Sequence, residues 1–226
     1  MGRRTVVLFV LVLVILGTQL GCSRPPEGSP EWHFNRAYDL ANQGLYEEAE
    51  AEYTKVLEGN PTNHTKTQAY INRAAAYNSL QRWEEAISDS TEAINLDPES
   101  TLAYLNRAMA YNATEEYDLA IADFSKIIEV DDTIAEAYVH QAYAYIKKEE
   151  FHKAITDCNK ALDIDPEQTY AYFNRGLAYK GLGLIEEAIS DFEDFVILTD
   201  SPTWIERASQ EIASLIEEQA ESEAMD

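Results

Sequence analysis

The fold is decided by residues 70–98, which read YINRAAAYNSLQRWEEAISDSTEAINLDP. The same pattern returns at 172–198 as YFNRGLAYKGLGLIEEAISDFEDFVIL. Three residue columns recur every 34 residues through four successive units: Ala86, Ala120, Ala154 and Ala188; Tyr77, Tyr111, Tyr145 and Tyr179; Tyr70, Tyr104, Tyr138 and Tyr172. Because the three columns share one register, they predict a repeat protein built from a single supersecondary unit.

Each unit has the apolar spacing of two helices. In the unit 101–134 two stripes follow steps of four and three residues: Tyr104, Ala108 and Tyr111, then Ala120, Phe124 and Ile127. Such steps place residues on one face of an α-helix. Neither helix can bury its stripe alone, so the units are expected to stack and share a continuous core.

The segments 70–98 and 172–198 resemble the tetratricopeptide repeat family, and the resemblance extends from residue 30 to about residue 200. It implies an all-α fold, a right-handed α-solenoid of about five helix-turn-helix units with a C-terminal capping helix. The family is a scaffold with many clients, so the resemblance implies a protein or peptide partner without identifying it.

The repeat columns also predict the boundaries of the units. They indicate repeats at 30–63, 67–100, 101–134, 135–168 and 169–200, then a capping helix at 201–216 and an acidic tail at 217–226. Ala49 and Ala86 are 37 residues apart rather than 34. We therefore expect three extra residues in the turn near 63–66.

The N-terminal segment 1–21 has the pattern of a signal peptide. Two arginines precede an apolar run over 6–17, which is too short for an ordinary membrane-spanning helix. The run closes on Leu20-Gly21-Cys22-Ser23, which resembles a bacterial lipobox, although Gln19 stands where leucine is usual. The interpretation is lipidation at Cys22, a tether over 22–30 and a bacterial cell-envelope location with the repeats on the extracytoplasmic side. An uncleaved N-terminal transmembrane anchor is the alternative.

Charge and missing motifs exclude several function classes. The 226 residues carry 17 Lys+Arg against 41 Asp+Glu, a net charge of −24, which argues against nucleic acid as a partner. The cysteines Cys22 and Cys158 form no zinc or disulfide pattern, and the four histidines show no metal-ligand pairing. We expect no catalytic residue, no metal and no cofactor.

In the resembled family, the first helices of successive units line a concave groove. When the family's groove-lining positions are carried over to this sequence, the sixth position of each unit gives a row of side chains: Asn35, Asn72, Asn106, His140 and Asn174. Around it the transfer places Tyr38, Leu105, Met109, Tyr143, Tyr170 and Phe173. The carry-over also places four charged residues in the groove, and their charges sum to zero: Glu31, Glu136, Lys147 and Lys180.

The asparagine row has two interpretations. An asparagine amide can donate to and accept from a peptide backbone, so a regular row could hold an extended chain. Alternatively, asparagine followed by arginine is simply common in this subfamily of repeats and helps solubility.

The function predicted is a membrane-tethered interaction scaffold that binds an extended peptide or partner helix, in the assembly of an envelope complex. The alternative is a self-associating structural module whose groove is filled by its own or another copy's helix. The sequence does not predict the oligomeric state.

An arginine follows the sixth place in four units, and an acidic residue stands 16 residues later. The pairs are Arg36 with Glu52, Arg73 with Asp89, Arg107 with Asp123, and Arg175 with Asp191. The fourth unit keeps Asp157 but has Gln141 in place of the arginine. The spacing predicts structural ion pairs within a unit or to its neighbour.

Overall fold

The computed structural model describes residues 25–225, and these form helices and connecting turns only. The helices are α1 (Pro30–Asn42), α2 (Tyr46–Glu58), α3 (Asn63–Ser79), α4 (Trp83–Leu96), α5 (Thr101–Ala113), α6 (Tyr117–Val130), α7 (Ala135–Lys147), α8 (Phe151–Ile164), α9 (Thr169–Gly181), α10 (Ile185–Leu198) and α11 (Pro202–Met225). The predicted signal peptide and Cys22 lie outside the described residues.

Consecutive helices pack in pairs, and each pair packs on the next. The first helices α1, α3, α5, α7 and α9 also contact one another along the array. Stacking of this kind places the first helices on the inner surface of a solenoid and the second helices on the outer surface. The predicted α-solenoid of five helix-turn-helix repeats is confirmed.

Each first helix ends in a left-handed residue. These residues are Gly44, Gln81, Glu115, Glu149 and Gly183, with φ from 59° to 77°. The next residue then donates its N–H to a carbonyl five positions earlier, as from Arg82 N to Tyr77 O at 2.9 Å. This is the Schellman arrangement, which satisfies the last carbonyls of a helix and reverses the chain.

Alanine at the helix contact lets each pair approach closely. Ala108 and Ala120 are fully buried between α5 and α6, beside Phe124 and Ile127. The core residue at the place of Phe124 varies in size along the array, since Cys158 holds that place in the fourth repeat. Burial raises the pKa of the Cys158 thiol, as expected for an inert core residue.

At two places a helix extends further than the sequence analysis expects. The extra residues between the first two repeats do not enlarge a turn but extend α3 at its N-terminus, where the Thr62 hydroxyl accepts from Thr65 N at 3.2 Å. The C-terminal helix does not end at residue 216, because α11 continues to Met225. The predicted tail is rich in alanine, glutamate and glutamine, which favour helix and contain no breaker.

Candidate functional site

The inner surface presents one uncharged side chain per repeat at the ninth place. Tyr38, Met109 and Leu177 are half-buried there, and Tyr143 is 36% exposed. Tyr143 lies under the Lys147 ammonium, with 5.5 Å between the nitrogen and the ring centroid. Tyr38, Met109 and Tyr143 belong to the predicted groove and remain accessible in the described structure.

Residues at the fifth place are more buried than the sequence predicts. Leu105 is half-buried, whereas Ile71 and Val139 are buried against the helix of the following repeat. Phe173 is only 3% exposed and packs on Phe192, Phe195 and Trp204. The assignment of Phe173 to an open groove is therefore wrong.

The C-terminal helix packs on the end of the fifth repeat, mainly against α10. Trp204 of α11 packs edge-on against Tyr170, with 5.5 Å between the ring centroids. Lys180 forms an ion pair of 2.6 Å with Glu211. Tyr170 and Lys180 thus contact the capping helix, while Tyr170 remains 46% exposed. The part of the inner surface without such contacts belongs to the first four repeats.

Three amides of the asparagine row donate to main-chain carbonyls. Asn106 Nδ2 donates to Ile71 O at 2.9 Å, and Asn174 Nδ2 donates to Val139 O at 3.0 Å, so each ties a first helix to the preceding one. Asn72 Nδ2 donates within its own helix to Gln68 O, while Asn35 is exposed. Asn174 is 7% exposed.

This geometry corrects the ladder interpretation at Asn106 and Asn174. A row that holds an extended chain needs amide donors directed at that chain, whereas these donors join neighbouring repeats. A residue that the sequence did not single out completes the tie, because Asn78 Nδ2 donates to Asn106 O at 2.9 Å. The sequence pattern that points to Asn78 is the recurrence of asparagine at the twelfth position of two repeats, as Asn78 and Asn112.

His140 replaces the asparagine in the fourth repeat and behaves differently. Its ring stacks on Phe124, with 5.8 Å between centroids and an angle of 15°. Burial lowers the pKa of His140, which favours the neutral imidazole. The contact that His140 makes with the third repeat is therefore aromatic, and α5 and α7 pack less closely than α3 and α5.

The predicted arginine–acid pairs are formed. Arg73, Arg107 and Arg175 each bond both oxygens of the acid 16 residues later at 2.6–2.8 Å. The Arg36–Glu52 contact is looser at 3.7 Å. Each of the three close arginines also donates to the second helix of the preceding repeat, through Thr54, Thr91 or Asn159. The pairs therefore join repeats as well as helices.

The fourth repeat lacks this arginine–aspartate pair. Gln141 donates to Ile121 O at 3.0 Å and to Ser125 Oγ at 2.8 Å, so these hydrogen bonds go to the third repeat and not to Asp157. Asp157 Oδ2 is buried without a hydrogen-bond partner among the described residues. Burial raises the pKa of Asp157 to about 7. The sequence shows Gln141 in place of the arginine, but it does not predict that the Asp157 carboxyl is buried and unpaired.

The described residues contain no cluster of three or more histidine, cysteine or acidic side chains suited to a metal ion. Within residues 25–225, none of the helices combines the length and apolar character that crossing a membrane requires.

Comparison with known families agrees with the architecture. Two family models, both described as tetratricopeptide repeat, match residues 67–100 and 102–133 in one case and 141–221 in the other. The chain belongs to the tetratricopeptide repeat (TPR) family. The match includes α11, which supports its role in completing the TPR stack.

Related TPR sequences share only a short stretch with this chain. The DnaJ homolog subfamily C member 7 homolog of Schizosaccharomyces pombe is 41% identical over 64 residues, which cover 28% of this chain and 13% of that protein. The mitochondrial import receptor subunit TOM70 of Rattus norvegicus is 37% identical over 67 residues, covering 29% and 11%. The chain thus spans a small fraction of the curated relatives it matches.

Solved TPR structures match over most of the chain. A crystal structure of MamA is 26% identical, with a TM-score of 0.66 over 75% of this chain and 91% of that one. A tetratricopeptide repeat protein from Parabacteroides merdae ATCC 43184 is 18% identical, with a TM-score of 0.73 over 86% and 76%. The second likeness shows the fold alone.

Proposed function

We propose that this TPR chain is a membrane-tethered scaffold that binds an extended peptide or a partner helix on the inner surface of its first four repeats. One observation carries the proposal. Met109 and Tyr143 occupy equivalent places in adjacent repeats and present accessible apolar surface on the inner face. Aromatic residues and methionine are enriched in the cores of protein interfaces.

The charge distribution favours an apolar contact over a charged one. The protein as a whole carries −24, yet the ninth-place side chains are uncharged. Lys147 adds a positive charge beside Tyr143, and Glu136 adds a negative charge nearby in sequence on α7. We therefore propose a ligand with an apolar or aromatic anchor and little net charge. TPR proteins are generally protein-interaction modules, and the matched TOM70 proteins are named import receptor subunits.

A cross-linking experiment tests the groove. A photo-reactive amino acid at position 143 is expected to capture a partner in cells, and the same probe at the exposed Ala122 of α6 is the control on the outer surface. Met109→Glu should abolish capture from position 143 without lowering the melting temperature, because Met109 is only half-buried. Equal capture from positions 122 and 143, insensitive to Met109→Glu, would contradict a groove partner.

Self-association is the second candidate function. It is supported by α11, whose Trp204 packs on Tyr170 and Phe173, so that a helix of this chain already contacts the first helix of the fifth repeat. In that case another copy's helix would fill the remaining groove. Light scattering separates the two: a monomer at micromolar concentration supports the scaffold, and a dimer that Met109→Glu dissociates supports self-association.

The membrane tether is proposed from the sequence of the N-terminal segment. Leu20-Gly21-Cys22 would direct lipidation of Cys22 and hold the solenoid at the bacterial cell envelope, where it would help to assemble a complex. Metabolic labelling with an alkyne fatty acid should mark the wild-type chain and not Cys22→Ser. An unlabelled wild type that stays in the membrane fraction would favour an uncleaved anchor instead, and a labelled Cys22→Ser chain would place the lipid on another residue.

A further inference from the structure

The arginines of the second, third and fifth repeats lie in one recurring environment. Each guanidinium carbon is 5.6–5.9 Å from the centroid of one or two neighbouring tyrosine rings: Arg107 lies near Tyr104 and Tyr111, and Arg175 near Tyr172. Each also makes the bidentate bond to an aspartate of the second helix. An anion and aromatic faces together recognise the planar, weakly hydrated guanidinium group better than any other side-chain cation.

The fourth repeat retains this environment without the arginine. Tyr138 and Tyr145 stand where the other repeats have their two tyrosines, and Asp157 stands where they have the paired aspartate. Gln141 is directed away from Asp157, toward Ile121 O and Ser125 Oγ of the third repeat. One carboxyl oxygen of Asp157 is consequently left without a partner.

The nearby cations of the same repeat do not compensate. Lys153 lies 5.2 Å from the Tyr145 ring centroid but pairs with Glu150, and Lys148 pairs with Asp118 and Glu150. A buried carboxyl without a hydrogen-bonding partner is unfavourable, so a cation that reaches it gains more than it would on an open surface.

We propose that Asp157, Tyr138 and Tyr145 form an acceptor for an arginine side chain supplied by a partner protein. The bound guanidinium would donate to the Asp157 carboxylate and lie against the two rings, as Arg73 and Arg107 do in the second and third repeats. That position is within reach of solvent, because the side chains of Arg73, Arg107 and Arg175 remain 15–19% exposed. Asp157 itself is half-buried.

The acceptor is separate from the proposed groove. None of its three residues belongs to the ninth-place row, so a partner could use it together with the groove or without it. Arginine is enriched among interface residues that dominate binding, which fits an anchoring role for a single partner side chain.

The test uses the full-length chain in detergent and N-acetyl-arginine amide as the probe. At about ten times its Kd this compound should raise the melting temperature of the wild type by about 3–6 °C. N-acetyl-citrulline amide, which has the same shape without the charge, should have no effect. Asp163→Asn, an exposed acid on the same helix, is the matched control and should respond as the wild type does.

Two variants decide the outcome. Asp157→Asn should lose the response, and Gln141→Arg should lose it because an internal arginine then fills the acceptor. The proposal is overturned if either variant responds as strongly as the wild type, or if the wild type does not respond. An equal response to the citrulline compound would overturn it as well. Nuclear magnetic resonance shifts of the Tyr138 and Tyr145 rings provide a second readout that does not depend on stability.

Discussion

The side-chain amide of Asn106 and the carbonyl of Ile71 are hydrogen-bonded at 2.9 Å across 35 residues of sequence. A carbonyl oxygen has two lone pairs, so this bond adds to the helical bond of α3. Asn78 returns the contact by donating to the carbonyl of Asn106. The second and third repeats are therefore joined by a reciprocal pair of amide–carbonyl bonds as well as by apolar packing.

We predict that Asn106→Ala and Asn174→Ala destabilise the solenoid. Each substitution removes an inter-repeat hydrogen bond, which contributes about 1 kcal/mol, and should lower the melting temperature by about 2–4 °C. Asn35→Ala is the control, because Asn35 is exposed. Circular dichroism during thermal unfolding measures the effect. An Asn174→Ala chain that melts with the wild type would refute the inter-repeat role.

The sequence could predict the repeat, its helices and its ion pairs because these depend on residues at fixed short separations. Arg107 and Asp123 are 16 residues apart on two helices of one hairpin, so the geometry of that hairpin is enough to bring them together. The recurring alanine and tyrosine positions likewise predict which face of each helix is apolar.

The sequence could not predict the direction of the asparagines or the burial of Phe173. Whether Asn174 faces a ligand or the Val139 carbonyl depends on the rotation between repeats, which no residue spacing encodes. Phe173 is buried because α11 places Trp204 on it, and an isolated fifth repeat would leave that face open. The asparagine direction and the burial of Phe173 both depend on packing against a neighbouring repeat or helix, and not on the residues of one repeat alone.

We predict that Asp157 makes stability depend on pH. Its pKa of about 7 in the folded chain exceeds the ordinary value of 3.8, so the folded state binds the proton more tightly than the unfolded state. The contribution is complete below about pH 4 and is lost as the pH rises through 7. Asp157→Asn cannot ionise and should therefore gain roughly 1–3 kcal/mol over the wild type between pH 4 and pH 8.

Urea unfolding of both chains across this pH range measures the difference. The facing tyrosines Tyr138 and Tyr145 titrate above the window, since burial raises the pKa of each. His140 is present in both chains and cancels in the comparison. A constant difference between Asp157→Asn and wild type from pH 4 to pH 8 would contradict a raised pKa.

We predict opposite effects for two adjacent hydroxyls of α4. Ser90 is fully buried and its Oγ has no hydrogen-bond partner among the described residues, so Ser90→Ala should stabilise by about 1 kcal/mol. Thr91 Oγ1 donates to Ile87 O at 2.7 Å and accepts from Arg107 Nη1 at 3.1 Å. Thr91→Ala should therefore lower the melting temperature. A shift of the same sign in both variants would contradict this assignment.

We predict that Ala120→Glu unfolds much of the array. Ala120 is fully buried between α5 and α6, where a carboxylate would have no polar partner and no room. Burial of such a charge costs more than about 4 kcal/mol. Because each repeat is stabilised by its neighbours, loss of the third repeat removes an interface from both the second and the fourth. Ala122→Glu adds the same charge at an exposed position of the same helix and should melt as the wild type does. Helical content and cooperativity by circular dichroism distinguish the two chains, and a normal melt for Ala120→Glu would mean that the repeats do not share a core at this position.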